Sequence, residues 1–181
     1  ISNVRQILFA GGKWVGNYIS PELEVPEAHK AVLMQVGAYA RDHGHVAKEG
    51  INCGIDYFVS GDEVIVTEIN ARWTGGLFPA EFLRRLAITQ PAVAFFDMVP
   101  EAQSEAVRTF QREHLFPAAG DSFAYVPMGF TPFAMEIEGA ERYFVWQIVV
   151  GDFASFVEAK RQALTEDAFP TAELILQEAL S

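Results

Sequence analysis

Four polar residues of types that suit metal and phosphate chemistry lie in one short stretch of the chain. They are Asp56, Glu68, Asn70 and Arg72. Mg²⁺ takes hard oxygen ligands in proteins, typically one or two carboxylates together with substrate phosphates. A guanidinium can stabilise a phosphate or an anionic intermediate through paired hydrogen bonds. These residue types therefore predict a site for a metal and a phosphate.

Strand periodicity brings these residues to one face of a hairpin. The apolar pattern predicts strands at 51–60 and 63–70, and residues of equal parity share a strand face. The four polar residues have even numbers, while the other face is apolar, with Ile55, Tyr57, Val59, Ile65 and Ile69.

The register of the hairpin decides whether the two acids meet. Asp56 opposes Glu68 if a three-residue loop, Gly61-Asp62-Glu63, joins the strands, and we expect that loop. A two-residue loop at Gly61-Asp62 would place the carboxylates on opposite faces. The bland alternative is a hairpin with idle surface charges, in which Asp56 pairs with a nearby arginine.

The first 86 residues contain further elements that would position this hairpin. Strands are predicted at 4–9 and 14–19, and helices at 27–41 and 78–86. Gly11-Gly12-Lys13 could cradle a phosphate, but the spacing of a phosphate-binding loop is missing, so a hairpin turn is favoured. His43 and His45 could bind a metal, although capping of the helix C-terminus is the favoured interpretation.

The remaining residues predict a second set of strands and helices. Strands are expected at 92–97, 122–126, 133–137 and 143–150, and helices at 100–112, 153–164 and 171–180. The many aromatic residues between Phe123 and Phe144 are interpreted as core. The predicted fold class is α+β.

Composition narrows the class of protein. The 181 residues are 50% hydrophobic, which is typical of a globular chain, and the net charge of −11 argues against a nucleic-acid partner while permitting a small nucleotide. The single cysteine, Cys53, cannot build a disulfide framework or a thiolate zinc site. We find no signal-peptide pattern and no apolar run of membrane-spanning length. A reducing, cytoplasmic location without a membrane partner is expected.

The hairpin residues resemble a known signature. Gly54-x-Asp56-Tyr57-Phe58 followed by Glu68-Ile69-Asn70-x-Arg72 is similar to the metal-binding motif of the ATP-grasp superfamily. These ligases use ATP to join a carboxylate to an amine or a similar nucleophile through an acyl-phosphate.

The resemblance implies a role for each residue of the motif. Asp56 and Glu68 would hold two Mg²⁺ ions, with Mn²⁺ as an alternative, and Asn70 would hold one of them. Arg72 would contact phosphate or the intermediate and act in catalysis. The segment that follows, Trp73, Thr74, Gly75 and Gly76, is similar to the loop that closes on the acceptor substrate.

The resemblance also implies a domain organisation. Residues 1–86 would form the C-terminal lobe of the ATP-grasp fold, an antiparallel sheet with helices on one face. Residues 87–181 would form a C-terminal α+β extension, and whether it packs on the same core is left open. The family's first lobe, with its nucleotide lysines and adenine hinge, would precede Ile1 or lie in another chain. We therefore expect a fragment that is inactive alone, from a ligase for small carboxylate and amine substrates.

Two alternatives to a ligase stay open. The chain could be a catalytically silent nucleotide-binding or scaffold relative, or a plain α+β interaction domain. Homo-oligomer formation is also left open.

Overall fold

The computed structural model describes residues 3–45, 53–117 and 122–180. The chain is α+β, with antiparallel sheets and helices. Its elements are, in order, β1 (Gln6–Ala10), β2 (Lys13–Ile19), α1 (Glu27–Asp42), β3 (Gly54–Ser60), β4 (Glu63–Asn70), α2 (Leu77–Arg85), β5 (Ala92–Pro100), α3 (Ser104–Glu113), β6 (Phe123–Phe130), β7 (Met135–Ile137), β8 (Ala140–Gly151), α4 (Phe153–Ala163) and α5 (Pro170–Leu174).

The chain divides into two compact units. The first, here called the hairpin unit, comprises Ile1–Val4 and Glu24–Phe82. The second, the sheet unit, comprises Arg5–Leu23 and Leu83–Ser181. Consequently β1 and β2 belong to the sheet unit, whereas the sequence interpretation grouped them with β3 and β4 in a domain of residues 1–86.

The hairpin unit is built from α1, β3, β4 and the start of α2. Helix α1 begins after Pro26, whose fixed φ suits a helix start, and it buries Leu33 and Ala40. Strands β3 and β4 form a two-stranded antiparallel sheet. A two-stranded sheet is marginal alone and needs a packed face. Here α1 contacts β4.

The sheet unit is a six-stranded antiparallel sheet with helices over its main core. The strand order is β1-β2-β5-β8-β6, and β7 pairs with β8. One sheet face carries the larger core, in which side chains of β5, β6 and β8 meet those of α3, α4 and α5; its largest members include Phe95, Tyr125, Phe156 and Phe169. The opposite face has a smaller cluster around Ile148 and Leu83.

Most predicted elements are present with shifted ends. The helices expected at 27–41, 78–86 and 153–164 are confirmed to within a residue. The first strand begins two residues late, at Gln6, and the turn after it is Gly11-Gly12, with φ of +54° and +71°. Of the strand expected at 51–60, residues 51–52 lie outside the described part, and β3 begins at Gly54.

Other predictions need correction. The helix expected at 171–180 is α5 followed by a π-helical turn, Ile175–Ala179. The helix expected at 100–112 starts as a 3₁₀ turn at Glu101–Gln103, since β5 extends to Pro100. The interpretation of the later aromatics as core holds for Phe123, which is 6% exposed, but Phe133 is 66% exposed.

No helix among the described residues has the length and apolar character needed to cross a membrane.

Candidate functional site

The acidic residues of the hairpin meet as predicted. In the antiparallel pairing of β3 with β4, Asp56 lies directly opposite Glu68 and Gly54 lies opposite Asn70. Directly opposed residues share a face of the sheet. The two carboxylates and the amide therefore project from one surface, here called the acid face.

The route to this register differs from the prediction. The turn has two residues, Gly61-Asp62, not three, and Gly61 has a φ of +60°, which glycine adopts without strain. A β-bulge next to Asp56 places one extra residue, Thr67, on β4. The extra residue restores the pairing of Asp56 with Glu68. The predicted loop was wrong, and the predicted pairing is confirmed.

The bulge also exchanges side chains between the two faces. Beyond it, Ile65 opposes Phe58 and Val66 opposes Tyr57. Ile65 thus lies on the acid face, and Val66 lies on the other face, contrary to the simple odd–even prediction.

The other face of the hairpin is turned towards α1. The ring of Tyr57 meets that of His29 in an edge-to-face contact, with centroids 6.1 Å apart. Since Tyr57 and Asp56 are neighbours on a strand, their side chains point in opposite directions. The acid face is therefore the face that α1 does not cover.

The polar groups at the acid face are in contact. Asn70 Nδ2 donates a hydrogen bond of 3.3 Å to Asp56 Oδ2, and Asn70 is buried at 5% exposure. Glu68 is exposed and Asp56 is half-buried. Like charges directly opposite each other on a sheet are mutually destabilising. A divalent cation between them would reverse the sign of that interaction.

The donor set fits a magnesium ion better than a softer metal. Among the described residues there is no group of three or more His, Cys, Asp and Glu side chains placed to hold a metal. The acid face offers two carboxylates and one amide, all oxygen donors. Mg²⁺ ordinarily accepts such a small set, because water and substrate phosphate fill its other positions.

The segment predicted to close on the substrate begins beside the acid face. A Cβ added to Gly54 would lie 3.0 Å from Thr74 Cγ2 and 3.4 Å from Asn70 Cβ, so the threonine methyl group occupies the space next to Gly54. The Leu77 N–H donates to the Thr74 carbonyl at 3.0 Å, which links the loop to the start of α2. Gly75 and Gly76 complete this turn.

Aromatic rings flank the same loop. The rings of Trp73 and Phe78 lie 5.1 Å apart, and both side chains are substantially exposed. Arg72 is exposed, and its Nη1 donates to the Trp73 carbonyl at 3.3 Å. This bond connects the guanidinium to the loop, and a role towards phosphate stays a prediction.

Histidines flank Gly44 at the end of α1. His43 Nδ1 forms a hydrogen bond of 2.9 Å with the Tyr39 carbonyl, and its ring stacks on that of Tyr39. Such a bond satisfies one of the free carbonyls of a helix end. Capping by His43 is therefore confirmed.

The described residues at this end of α1 line an open groove of about 430 Å³, formed by Tyr39, Ala40, His43, Gly44, His45, Ile69 and Ala71.

Lys13 forms the last pair of the first hairpin, opposite Ala10, as the turn interpretation requires.

Sequence reasoning missed two groups of residues. Thr67 carries no signal of its own, because a threonine in an apolar strand is ordinary. Several polar side chains that are buried in the sheet unit, among them Asp97, Gln111, Gln147 and Lys160, were also not singled out. A charged or amide residue inside an otherwise apolar run, such as 92–99 or 143–150, is a signal that could have found Asp97 and Gln147, whereas Gln111 and Lys160 lie in helices with many polar residues.

Comparisons with protein-family models, with curated proteins and with solved structures found no match to this chain.

Proposed function

We propose that the chain is the C-terminal part of an ATP-dependent ligase of the ATP-grasp type, which joins a small carboxylate to an amine through an acyl-phosphate. The observation that supports this proposal most directly is the opposition of Asp56 and Glu68 across the β3–β4 hairpin, with Asn70 bonded to Asp56. An ordinary surface hairpin gains nothing from two opposed acids.

Each residue of the acid face has a proposed task. Asp56 and Glu68 would hold one or two Mg²⁺ ions, and Asn70 would turn its amide oxygen to one of them. When bound, the ions neutralise the polyphosphate and the charge that develops during phosphoryl transfer. The hydrogen bond from Asn70 keeps the Asp56 carboxylate on this face.

The loop after β4 would contribute the substrate side. Arg72 would stabilise the anionic intermediate, since a guanidinium fork matches phosphate and carboxylate oxygens. The segment Trp73, Thr74, Gly75 and Gly76 would close over the acceptor, and its position beside Gly54 brings it next to the acids. Lysines for the nucleotide and an adenine-binding hinge would come from the other lobe.

A catalytically silent nucleotide-binding relative is the second candidate. The contact of Arg72 with the Trp73 carbonyl favours it, because the proposed catalytic side chain is engaged with its own loop. The silent relative would bind metal and nucleotide without turnover.

Metal binding is tested first, on the chain itself. Mn²⁺ is titrated into labelled protein, and broadening of amide signals is followed by NMR. We expect selective broadening around residues 54–58 and 66–72. The double variant with Asp56→Asn and Glu68→Gln should bind Mn²⁺ at least tenfold more weakly. Asp62→Asn, which removes the turn acid of the same hairpin, is the matched control and should bind Mn²⁺ normally. Uniform broadening, or equal loss in the control, contradicts the site.

Turnover is tested second, on the natural polypeptide that contains these residues together with any nucleotide-binding lobe. Mixtures of carboxylates and amines are screened for release of ADP and phosphate. Release that depends on both substrates and is lost in Glu68→Gln supports the ligase. Nucleotide binding without release supports the silent relative. Calorimetry of the 181-residue chain with Mg-ATP should show weak binding or none, and micromolar affinity would contradict the proposed division of the nucleotide site.

A further inference from the structure

The core of the sheet unit contains a glutamine whose hydrogen-bonding groups are unpaired. Gln147 lies in β8 and is 0% exposed. Neither its Nε2 nor its Oε1 has a hydrogen-bond partner among the described residues. Burying such groups without partners is costly, and native cores rarely tolerate it. Some bonding partner for this amide is therefore required.

The pairing of the strands shows which polar side chains lie near Gln147. On its own strand, Val145 and Val149 share its face. Tyr125 of β6 lies opposite Val149, and Asp97 of β5 lies opposite Val145. Both are thus diagonal neighbours of Gln147 on the same face. Diagonal neighbours in a sheet are about 7–8 Å apart between Cα atoms.

Tyr125 has a buried hydroxyl group that can form a further hydrogen bond. Its Oη accepts a hydrogen bond of 2.6 Å from Gln111 Nε2 of α3, and the residue is 0% exposed. A phenol that accepts one bond still has its own hydrogen to donate. Burial, together with the charge of Asp97, raises the pKa of Tyr125 above its ordinary value, so the hydroxyl keeps that hydrogen.

The carboxylate of Asp97 already accepts hydrogen bonds from three backbone N–H groups. Its Oδ1 accepts the N–H groups of Met98 and Thr171, and its Oδ2 accepts that of Ala172. It is therefore a less suitable direct partner for Gln147 than Tyr125 is.

We infer that Gln147 and Tyr125 bind one ordered internal water molecule, which bridges the amide of β8 to the hydroxyl of β6. A water can both donate and accept, so it satisfies a free amide group and the phenol hydrogen together. The bridge continues through Gln111 and thereby connects α3 to the centre of the sheet. This inference does not depend on the proposed ligase function.

The test combines crystallography with NMR on the full chain. In a high-resolution crystal structure, one solvent peak is expected within hydrogen-bonding distance of both the Gln147 amide and Tyr125 Oη. In solution, magnetisation transfer from a long-lived water to the Gln147 side-chain amide protons is expected. A Gln147 amide that bonds directly to protein, or the absence of either signal in the wild-type chain, overturns the inference.

Variants test whether the water needs the hydroxyl. Tyr125→Phe keeps the ring and should abolish the peak and the magnetisation transfer. Tyr18→Phe, which removes the hydroxyl of a partly buried tyrosine in β2, is the control and should leave both unchanged. Persistence of the same water in Tyr125→Phe overturns the bridge. If that variant does not fold, the wild-type crystal and NMR results decide.

Discussion

Asp56 lies directly opposite Glu68 in the β3–β4 hairpin, so two carboxylates of like charge share one position of the sheet. Without a cation this pairing costs stability, since like charges directly opposite each other in a sheet are destabilising. With a divalent ion bound between them, the same pair becomes favourable. A comparison of the stability of the chain with and without a divalent ion therefore tests whether the acid face binds a metal.

Glu68→Gln should change stability in opposite directions with and without metal. In the presence of a chelator, we expect the variant to be more stable than wild type by less than about 1 kcal/mol, because the repulsion between the two carboxylates is removed and charges exposed to solvent interact weakly. In millimolar Mg²⁺ the wild-type midpoint should rise, as ligand binding to the folded state requires, and the variant should not follow. The measurement is thermal unfolding, with Asp62→Asn as control. Equal responses of both variants to Mg²⁺ would contradict a metal site at Glu68.

The bulge residue predicts a second, smaller effect. Thr67 Oγ1 donates a hydrogen bond of 3.1 Å to the Asp56 carbonyl, across the point where the ladder is interrupted. Thr67→Val keeps the branched shape and removes this bond, so we expect a loss of about 1 kcal/mol in the free energy of unfolding. Mn²⁺ affinity should weaken at the same time, because the bond holds the bulge that pairs the two acids.

Urea unfolding and Mn²⁺ titration of the same Thr67→Val sample measure both quantities. Thr131 provides the matched control, because its Oγ1 accepts the Phe144 N–H and because it belongs to the sheet unit, which does not contain the two acids. Thr131→Val should lower stability without changing Mn²⁺ affinity. Unchanged Mn²⁺ affinity in Thr67→Val would mean that the bulge persists without the hydroxyl.

The hairpin shows how far sequence reasoning reaches. The period of polar and apolar residues correctly placed Asp56 and Glu68 on one face. The predicted loop of three residues was wrong because the prediction assumed a regular ladder of strand pairs, in which loop length alone sets the register. A bulge changes the register within the strand, and Thr67 differs in no visible way from other strand residues. Ile65 was assigned to the wrong face for the same reason.

Sequence reasoning also cannot predict which strands pair when they are far apart in the chain. Helix α1 follows from its local apolar period and the preceding Pro26. The partner of β2 does not, because its pairing with β5 joins residues that are far apart in the chain, such as Gly16 and Phe95. The two strands approach each other closely at Gly16, which explains why a glycine is needed there. A Cβ at this position would lie 2.6 Å from the Ala94 carbonyl oxygen.

Asp97 should make the sheet unit less stable as the pH rises. Burial raises the pKa of this carboxyl to about 7, even though the N–H groups of Met98, Thr171 and Ala172 favour its ionised form. A carboxyl with a raised pKa binds its proton more tightly in the folded state. The stabilisation is therefore fully present below the unfolded pKa, near 4, and is lost as the pH rises through about 7.

The measurement is urea unfolding between about pH 5 and pH 7, a window that lies between the unfolded pKa near 4 and the raised pKa of about 7. Asp97→Asn should be less sensitive to pH across this window than wild type, although its overall stability should fall because an amide nitrogen replaces one acceptor. Asp152→Asn is the matched control. The pKa of Asp152 is lowered by its bond with Ser155, so its contribution is lost only in more acidic solution and the slope across the window should persist. A wild-type stability that rises steadily across the window would contradict the assignment to Asp97.

The buried Lys160 gives the last prediction. It is 1% exposed, and its Nζ lies 3.0 Å from Glu173 Oε1, while Arg161 lies 2.6 Å from the other oxygen of the same carboxylate. Glu173→Ala leaves a buried ammonium without its acid, and such losses cost about 3–5 kcal/mol. Arg161→Ala removes a partner that is exposed to solvent, and a much smaller loss is expected because water screens that ion pair. Chemical unfolding of the two variants measures the difference, and Lys160→Met restores an apolar side chain in the Glu173→Ala background. Recovery of stability in that double variant would attribute the loss to the unpaired charge, whereas equal losses in the two single variants would contradict it.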